Sequence, residues 1–374
     1  MKKNLFFFTA IVLSGALLIS SCKHDPGPDP NQEQIDQMKT VTDSIIANTH
    51  VPGIVALVVD HKKEINWLYA AGLSDIPAKA PMNANYTFRV GSNTKTFVGT
   101  VLLQLVNEGK IQLNDRLSKY YPDYPKSDSI TITMLCNMTS GIFNYTDAEE
   151  WVAQANDDPF RVWTPKELVD LGMSKDFYFQ PGTGWTYSNT NTFIIGMIIE
   201  KITGHTLQSE IENRIIKPLQ LTNTGFITSG PDLPGLHGRG YYSGEYVENE
   251  DMTEAFDLSW AWAAGSVYST PRELQKYVET LVWGGFLPDS LQHRRLNDMI
   301  NIAEGIDYGL CLARRGTFYG HNGGMPGFTS SMYHSNERDC TVIIYFNCDI
   351  EAPEPIVPDM LLVRFLNILY GLNP

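Results

Sequence analysis

Basic residues are scarce in this 374-residue chain. There are 28 Lys and Arg against 42 Asp and Glu, a formal net charge of −14 at pH 7, and the basic residues form no cluster. Phosphate backbones are held by Lys/Arg surfaces, so nucleic acid is excluded as a partner. Cysteine is scarce too: five in all, with no Cys-x-x-Cys pair, which removes the common zinc and dithiol readings. Cys340 and Cys348 flank one strand-like run, "CTVIIYFNC", and eight extended residues hold them beyond disulfide reach. Free, buried thiols are therefore expected. No His-Glu-x-x-His occurs, the eight histidines are dispersed, and no Walker-type loop is present; neither a metal nor a cofactor is expected. The chain has no internal repeat. At 43% hydrophobic and 19% charged residues it has the balance of a globular domain, which excludes global disorder.

Long apolar runs are absent but for one. Lys2 and Lys3 precede "LFFFTAIVLSGALLIS", which ends in Ser20-Ser21-Cys22. A short basic head, an apolar stretch too short for a comfortable span and a small-residue end read as a secretory signal. "LISSC" resembles the lipobox of bacterial lipoproteins. That resemblance implies a signal peptide over 1–21, cleavage before Cys22 and lipidation of Cys22, leaving the protein exported and lipid-anchored on the periplasmic or cell-surface side of a membrane. The Pro-rich "KHDPGPDPNQ" that follows makes 22–32 an extended tether.

One domain is expected over 33–371. "QEQIDQMKTVTDSIIAN" has helical spacing, and "GIVALVVD", "HKKE" and "INWLYAAG" read as two strands and a turn. Strand-like runs return near the other end as "YGLCLAR", "TFYGHN", "FTSSMYH" and "CTVIIYFN", before a last apolar helix, "VPDMLLVRFLNILYGL". Strands at both ends with helices between them predict an α+β fold, an α/β sandwich. Its antiparallel sheet comes from about 33–91 and 300–371, flanked by helices, and a mostly helical insert spans about 92–299.

Three short stretches carry chemistry. In "GSNTKTF" (91–97), Ser92 and Lys95 lie three residues apart ahead of apolar positions at Phe97, Val98, Val101, Leu102, Leu105 and Val106, a helical face stopped by Gly109. Lys95 is thus one turn on from Ser92 and on the same side. The free N–H groups and positive dipole end of the helix would stabilise an oxyanion and favour a neutral, basic lysine. The plain alternative is that Ser92 caps the helix. The same spacing at Ser20 and Lys23 carries no meaning. In "TYSNTNTF", Tyr187 could relay a proton and Asn189 could bind a substrate amide, or Tyr187 is a core aromatic, as Tyr345 of "YFN" is expected to be. In "YGHNGGMPGF", His321, Asn322 and Gly323 follow a strand and open a glycine-rich turn, where glycines admit a ligand close to the backbone; standing alone, the stretch reads better as a turn with a surface histidine.

Taken in this order and context, the three motifs resemble those of the serine β-lactamase and penicillin-recognising hydrolase family, in the branch of class C β-lactamases, D-Ala-D-Ala carboxypeptidases and related esterases. The resemblance runs from about 35 to 370 and includes "LLQLVNEGKIQLNDRLSKYYPDYP", "ITITMLCNMTSGI", "FQPGTGWTYSNTNTFIIGMIIEKITG" and "WAAGSVYSTPREL". It implies that Ser92 attacks a carbonyl to form an acyl-enzyme, with Lys95 and Tyr187 sharing the proton work. Asn189 would bind the acyl side, the N–H groups of Ser92 and Gly324 would form the oxyanion hole, and His321 would lie near Tyr187 on the leaving-group side. Three departures stand out. His321 replaces the lysine of class C enzymes, so a charge that depends on pH near neutrality is expected to pair with a substrate carboxylate. Asn322 replaces the threonine of carboxypeptidase relatives. The arginine that such relatives use to clamp a carboxylate has two candidates, Arg314 and Arg315, which must face opposite sides of a strand. The expected function is an exported serine hydrolase for D-amino-acid peptides or related amides and esters, with peptidoglycan as a source of substrate. The alternatives are an esterase, a weak β-lactamase, or a non-catalytic lipoprotein that binds peptidoglycan fragments.

Overall fold

The computed structural model describes residues 30–244, 247–350 and 357–372. The expected signal peptide, Cys22 and most of the expected tether lie outside the described residues.

The chain builds a nine-stranded antiparallel sheet whose strands are numbered along the sequence. They are β1 (Gly53–Asp60), β2 (Ile65–Asp75), β3 (Ala80–Pro81), β4 (Ile300–Ala303), β5 (Ile306–Tyr308), β6 (Ala313–Arg315), β7 (Phe318–Met325), β8 (Phe328–Ser335) and β9 (Cys340–Phe346). Their spatial order is β3-β2-β1-β9-β8-β7-β6-β5-β4. The two ends of the chain therefore meet in the middle, where Ile54 faces Phe346 and Asp60 faces Cys340. Every residue of β1 is buried, as an unbroken Val/Ile/Leu run requires when both faces are covered. Ile54, Ala56 and Val58 pack into one apolar cluster, and Val55, Leu57 and Val59 into the other.

Helices α1 (Gln32–Asn48) and α5 (Pro358–Tyr370) cover the first face. The second is covered by α4 (Pro271–Trp283) and by a helical region centred on α2 (Thr94–Asn107) and α3 (Asn189–Thr203). In α2 all residues from Thr94 to Leu103 and Leu105 are buried, so it is the hub of that region rather than a surface helix. This is the α+β architecture expected from the sequence, with the sheet built from both ends of the chain.

The region between the sheet segments also contains short strands that the sequence did not reveal. Phe88–Arg89, Val267–Ser269 and Gly225–Phe226 make one three-stranded patch. Tyr241–Gly244 pairs with Val247–Asp251 and, in parallel, with Cys348–Ile350. The run "YGLCLAR" is not one strand. Cys311, at φ +55°, interrupts it between β5 and β6, where its N–H donates to Cys136 O at 3.0 Å. His321 to Gly324 do not open a turn but lie inside β7. Cys136, Cys311, Cys340 and Cys348 are free and buried.

Candidate active site

Ser92 sits in a tight 3-10 turn, Gly91–Asn93, that runs directly into α2. Asn93 pins this turn to the sheet, since its Nδ2 donates to Val90 O at 2.9 Å and to Ser330 Oγ at 2.8 Å. Two glycines allow the approach. Gly91 has φ +54°, and a Cβ there would meet Gly324 N at 2.7 Å; a Cβ on Gly323 would meet Val90 O at 2.0 Å. The backbone of β7 at Gly323 and Gly324 thus lies against the turn that carries Ser92, which brings the segments bearing the two expected oxyanion donors together.

Lys95, one helical turn on, is completely buried. Its Nζ donates to Ser92 Oγ and to Ala264 O, both at 3.0 Å, and lies 4.8 Å from the centroid of the Tyr187 ring. Burial pulls the ammonium from its ordinary 10.5 down to about 7, against a smaller opposing effect of Cys311. A lysine in that state is neutral part of the time at physiological pH and can accept a proton from the hydroxyl it touches.

Tyr187 precedes α3 by two residues. Its hydroxyl is buried beside that of Ser92. Burial holds this phenol well above its usual range, with the neighbouring Ser92 hydroxyl acting weakly the other way. Lys95 and Tyr187 are therefore pushed apart: one can be neutral and basic near pH 7 while the other keeps its proton.

His321 departs from expectation. Its Nδ1 lies 2.5 Å from Asn322 O and its Nε2 lies 3.2 Å from Tyr308 Oη. A carbonyl oxygen only accepts, so Nδ1 carries the proton and Nε2 accepts from the tyrosine hydroxyl. Burial, helped by the nearby charge of Lys95, pushes the imidazole down to about 3. His321 is thus neutral at physiological pH, and the expectation of a switchable cationic contact for a substrate carboxylate is wrong.

Asn189 begins α3, where its backbone N–H donates to Asn144 Oδ1 at 3.0 Å; it does not line the cavity in front of Ser92. That cavity, about 480 Å³, runs from Ser92 and Tyr187 past His321 and Tyr308 to Arg315 and Asp359. Asn322, Gly323 and Gly324 form one edge of it. Of the two candidate arginines, Arg315 faces the cavity. Arg314 is turned onto Asp307, with Nη2 to Oδ2 at 2.6 Å. Arg315 is itself occupied, its Nη2 donating to Asp359 Oδ2 at 2.6 Å.

Sequence reasoning did not single out Tyr308, Ala264 or Asp359. Tyr308 sits at the end of a three-residue strand, too short for periodicity to assign a face. Asp359 follows Pro358 at the start of α5, where an acidic residue is expected for helix-dipole reasons alone. Ala264 contributes a backbone oxygen, which no side-chain pattern reveals. Among the described residues, no group of three His, Cys, Asp or Glu side chains is placed to hold a metal ion.

Residues 36–363 match the family described as Beta-lactamase. Among curated proteins the chain is similar to Protein flp of Staphylococcus aureus, 31% identical over 202 residues, or 52% of this chain and 38% of that protein. It is also similar to Penicillin-binding protein 4* of Bacillus subtilis, 26% identical over 301 residues, or 76% of this chain and 66% of that one. The chain thus spans under half the length of the staphylococcal relative. Among solved structures it resembles a D-stereospecific amidohydrolase from a Streptomyces species, with TM-score 0.80 and 30% identity over 90% of this chain and 99% of that one. It equally resembles the D-amino acid amidase of Ochrobactrum anthropi SV3, with TM-score 0.80 and 26% identity over 91% and 99%. With the family match covering most of its length and a serine–lysine pair in contact where the cavity begins, the chain belongs to the beta-lactamase family of serine hydrolases.

Proposed function

We propose that the protein is an exported, Cys22-anchored hydrolase that forms an acyl-enzyme on Ser92 and cleaves amides or short peptides of D-amino acids. The observation that carries this reading is the buried Lys95 Nζ, 3.0 Å from Ser92 Oγ and brought down to about 7. A non-catalytic binding module has no use for a lysine kept partly neutral beside a hydroxyl. Two structural relatives, a D-stereospecific amidohydrolase and a D-amino acid amidase, support the substrate class.

In this mechanism neutral Lys95 takes the proton of Ser92 as Oγ attacks the carbonyl carbon. The developing oxyanion is met by the N–H groups of Ser92 and Gly324, a contribution of about 3–4 kcal/mol for each donor. Tyr187, whose proton is retained and whose buried hydroxyl lies beside Ser92, hands a proton to the leaving nitrogen as the C–N bond breaks, and Lys95 restores it. Water then attacks the ester carbonyl; its proton passes to the same pair, and Ser92 recovers its own as the acid departs. His321, neutral and fixed by Tyr308, holds the wall on the leaving-group side.

The test is ammonia release from D-alaninamide, D-phenylalaninamide and their L-forms, together with intact-mass and peptide mapping after exposure to a neutral fluorophosphonate. D-selective release and a single adduct on the peptide containing Ser92, both lost in Ser92→Ala, are expected. An adduct elsewhere with Ser92 intact, or equal turnover of L-amides, refutes the proposal.

A further inference from the structure

The cavity wall at Arg315 and Asp359 carries chemistry that the acyl-transfer machinery does not use. Asp359 is nearly buried at the first turn of α5 and accepts from three side chains on the sheet. These are Arg315 Nη2 at 2.6 Å, Asn322 Nδ2 at 3.2 Å and Ser331 Oγ. Three donors from β6, β7 and β8 hold its carboxylate in place, and Pro358 stiffens the chain just before it. Among the described residues lining the cavity, Arg315 and Asp359 are already paired with each other, so the guanidinium brings no unpaired positive charge. An incoming carboxylate reaching for Arg315 would meet a guanidinium already paired with a fixed carboxylate, and like charges sharing one cation repel. A carboxamide fits the same pair: its carbonyl accepts from the guanidinium and its N–H donates to the remaining lone pair of Asp359.

We propose that the Arg315–Asp359 pair makes this cavity select substrates whose leaving-group side ends in an uncharged carboxamide, and reject a free terminal carboxylate. The inference rests on the acyl-enzyme reading for the direction in which substrate lies, with the leaving group toward His321 and Asn322. Arg315 and Asp359 are specificity-determining residues and touch no reacting atom.

Binding can be measured without turnover in Ser92→Ala, using isothermal titration of N-acetyl-D-alanyl-D-alanine and N-acetyl-D-alanyl-D-alaninamide. The carboxamide should bind at least about tenfold more tightly, and Asp359→Asn in the same background should move the ratio toward the carboxylate by a further factor of about ten or more. Should Asp359→Asn not fold, Arg315→Gln carries the test in the opposite sense, since it leaves Asp359 uncompensated and should weaken the carboxylate further. Equal binding of the two ligands, a ratio indifferent to both substitutions, or binding of neither ligand would overturn the inference. If the ratio shifts as expected while the unsubstituted enzyme hydrolyses neither peptide, the selectivity stands and it is the acyl-enzyme reading that fails.

Discussion

The depressed basicity of Lys95 has a direct kinetic signature. With the ammonium near 7 rather than its ordinary 10.5, the neutral fraction is roughly 1% at pH 5, about a tenth at pH 6, about half at pH 7 and about nine-tenths at pH 8. Acylation by a neutral probe should follow that fraction: about tenfold between pH 5 and 6, close to a hundredfold between pH 5 and 8, then a plateau. Tyr187 is held well above this window and His321 well below, at about 3, so neither adds a descending limb to the profile. The assay is the second-order rate of Ser92 labelling by a neutral fluorophosphonate from pH 5 to 9, with intact mass as readout. Lys95→Arg should abolish the limb and lower the rate about 10²–10⁴-fold, since a guanidinium stays charged throughout. A flat profile, or a limb centred above pH 9, would show that Lys95 behaves as an ordinary lysine and is not the base.

The nucleophile was legible because its signal is local. A spacing of three from Ser92 to Lys95, followed by a helical apolar face, already puts both side chains on one side of a helix start, and they meet at 3.0 Å. The arginines were legible by half. Period-two alternation says that Arg314 and Arg315 diverge, but only the pairing of β5, β6 and β7 decides which one sees the cavity. His321 was misread twice for the same reason. The glycines after it suggested a turn, whereas Gly323 is there because Val90 O passes where its Cβ would be. Its charge is set by burial between Tyr308 and Tyr187, a tertiary fact with no trace in the neighbouring sequence. Asp359 and Ser331 lie 28 residues apart, and Asn322 and Asp359 lie 37 apart, so that cluster exists only once α5 has docked on the sheet. The strands of two or three residues around Phe88, Gly225 and Val267 are shorter than any alternation that could announce them.

Two substitutions separate packing from chemistry. Gly323→Ala places a methyl 2.0 Å from Val90 O and 2.9 Å from Ser330 Oγ, atoms that are backbone or hydrogen-bonded and cannot yield. It should lower stability by about 1–3 kcal/mol or more, read as a reduced urea midpoint, and slow Ser92 labelling as β7 moves off the nucleophile turn; an unchanged midpoint and rate would contradict the close approach. Lys95→Met should do the reverse, gaining stability while losing activity. A lysine that titrates near 7 when folded and near 10.5 when unfolded binds more protons in the unfolded state between those values, so its destabilisation is fully present below pH 7 and fades as pH rises toward 10.5. At 1.36 kcal/mol per pH unit that cost is about 5 kcal/mol, partly offset by the hydrogen bond that Lys95 gives to Ala264 O, whose loss leaves a buried acceptor unpaired at about 1–3 kcal/mol. Urea unfolding at pH 6 should therefore find Lys95→Met more stable by about 2–4 kcal/mol, and at pH 9.5 the advantage should shrink or vanish. A midpoint at pH 6 equal to or below that of the unsubstituted protein, with no dependence of the difference on pH, would mean that Lys95 is not held against its solvation, and the stability sacrificed to keep it basic would have to be sought elsewhere in the site.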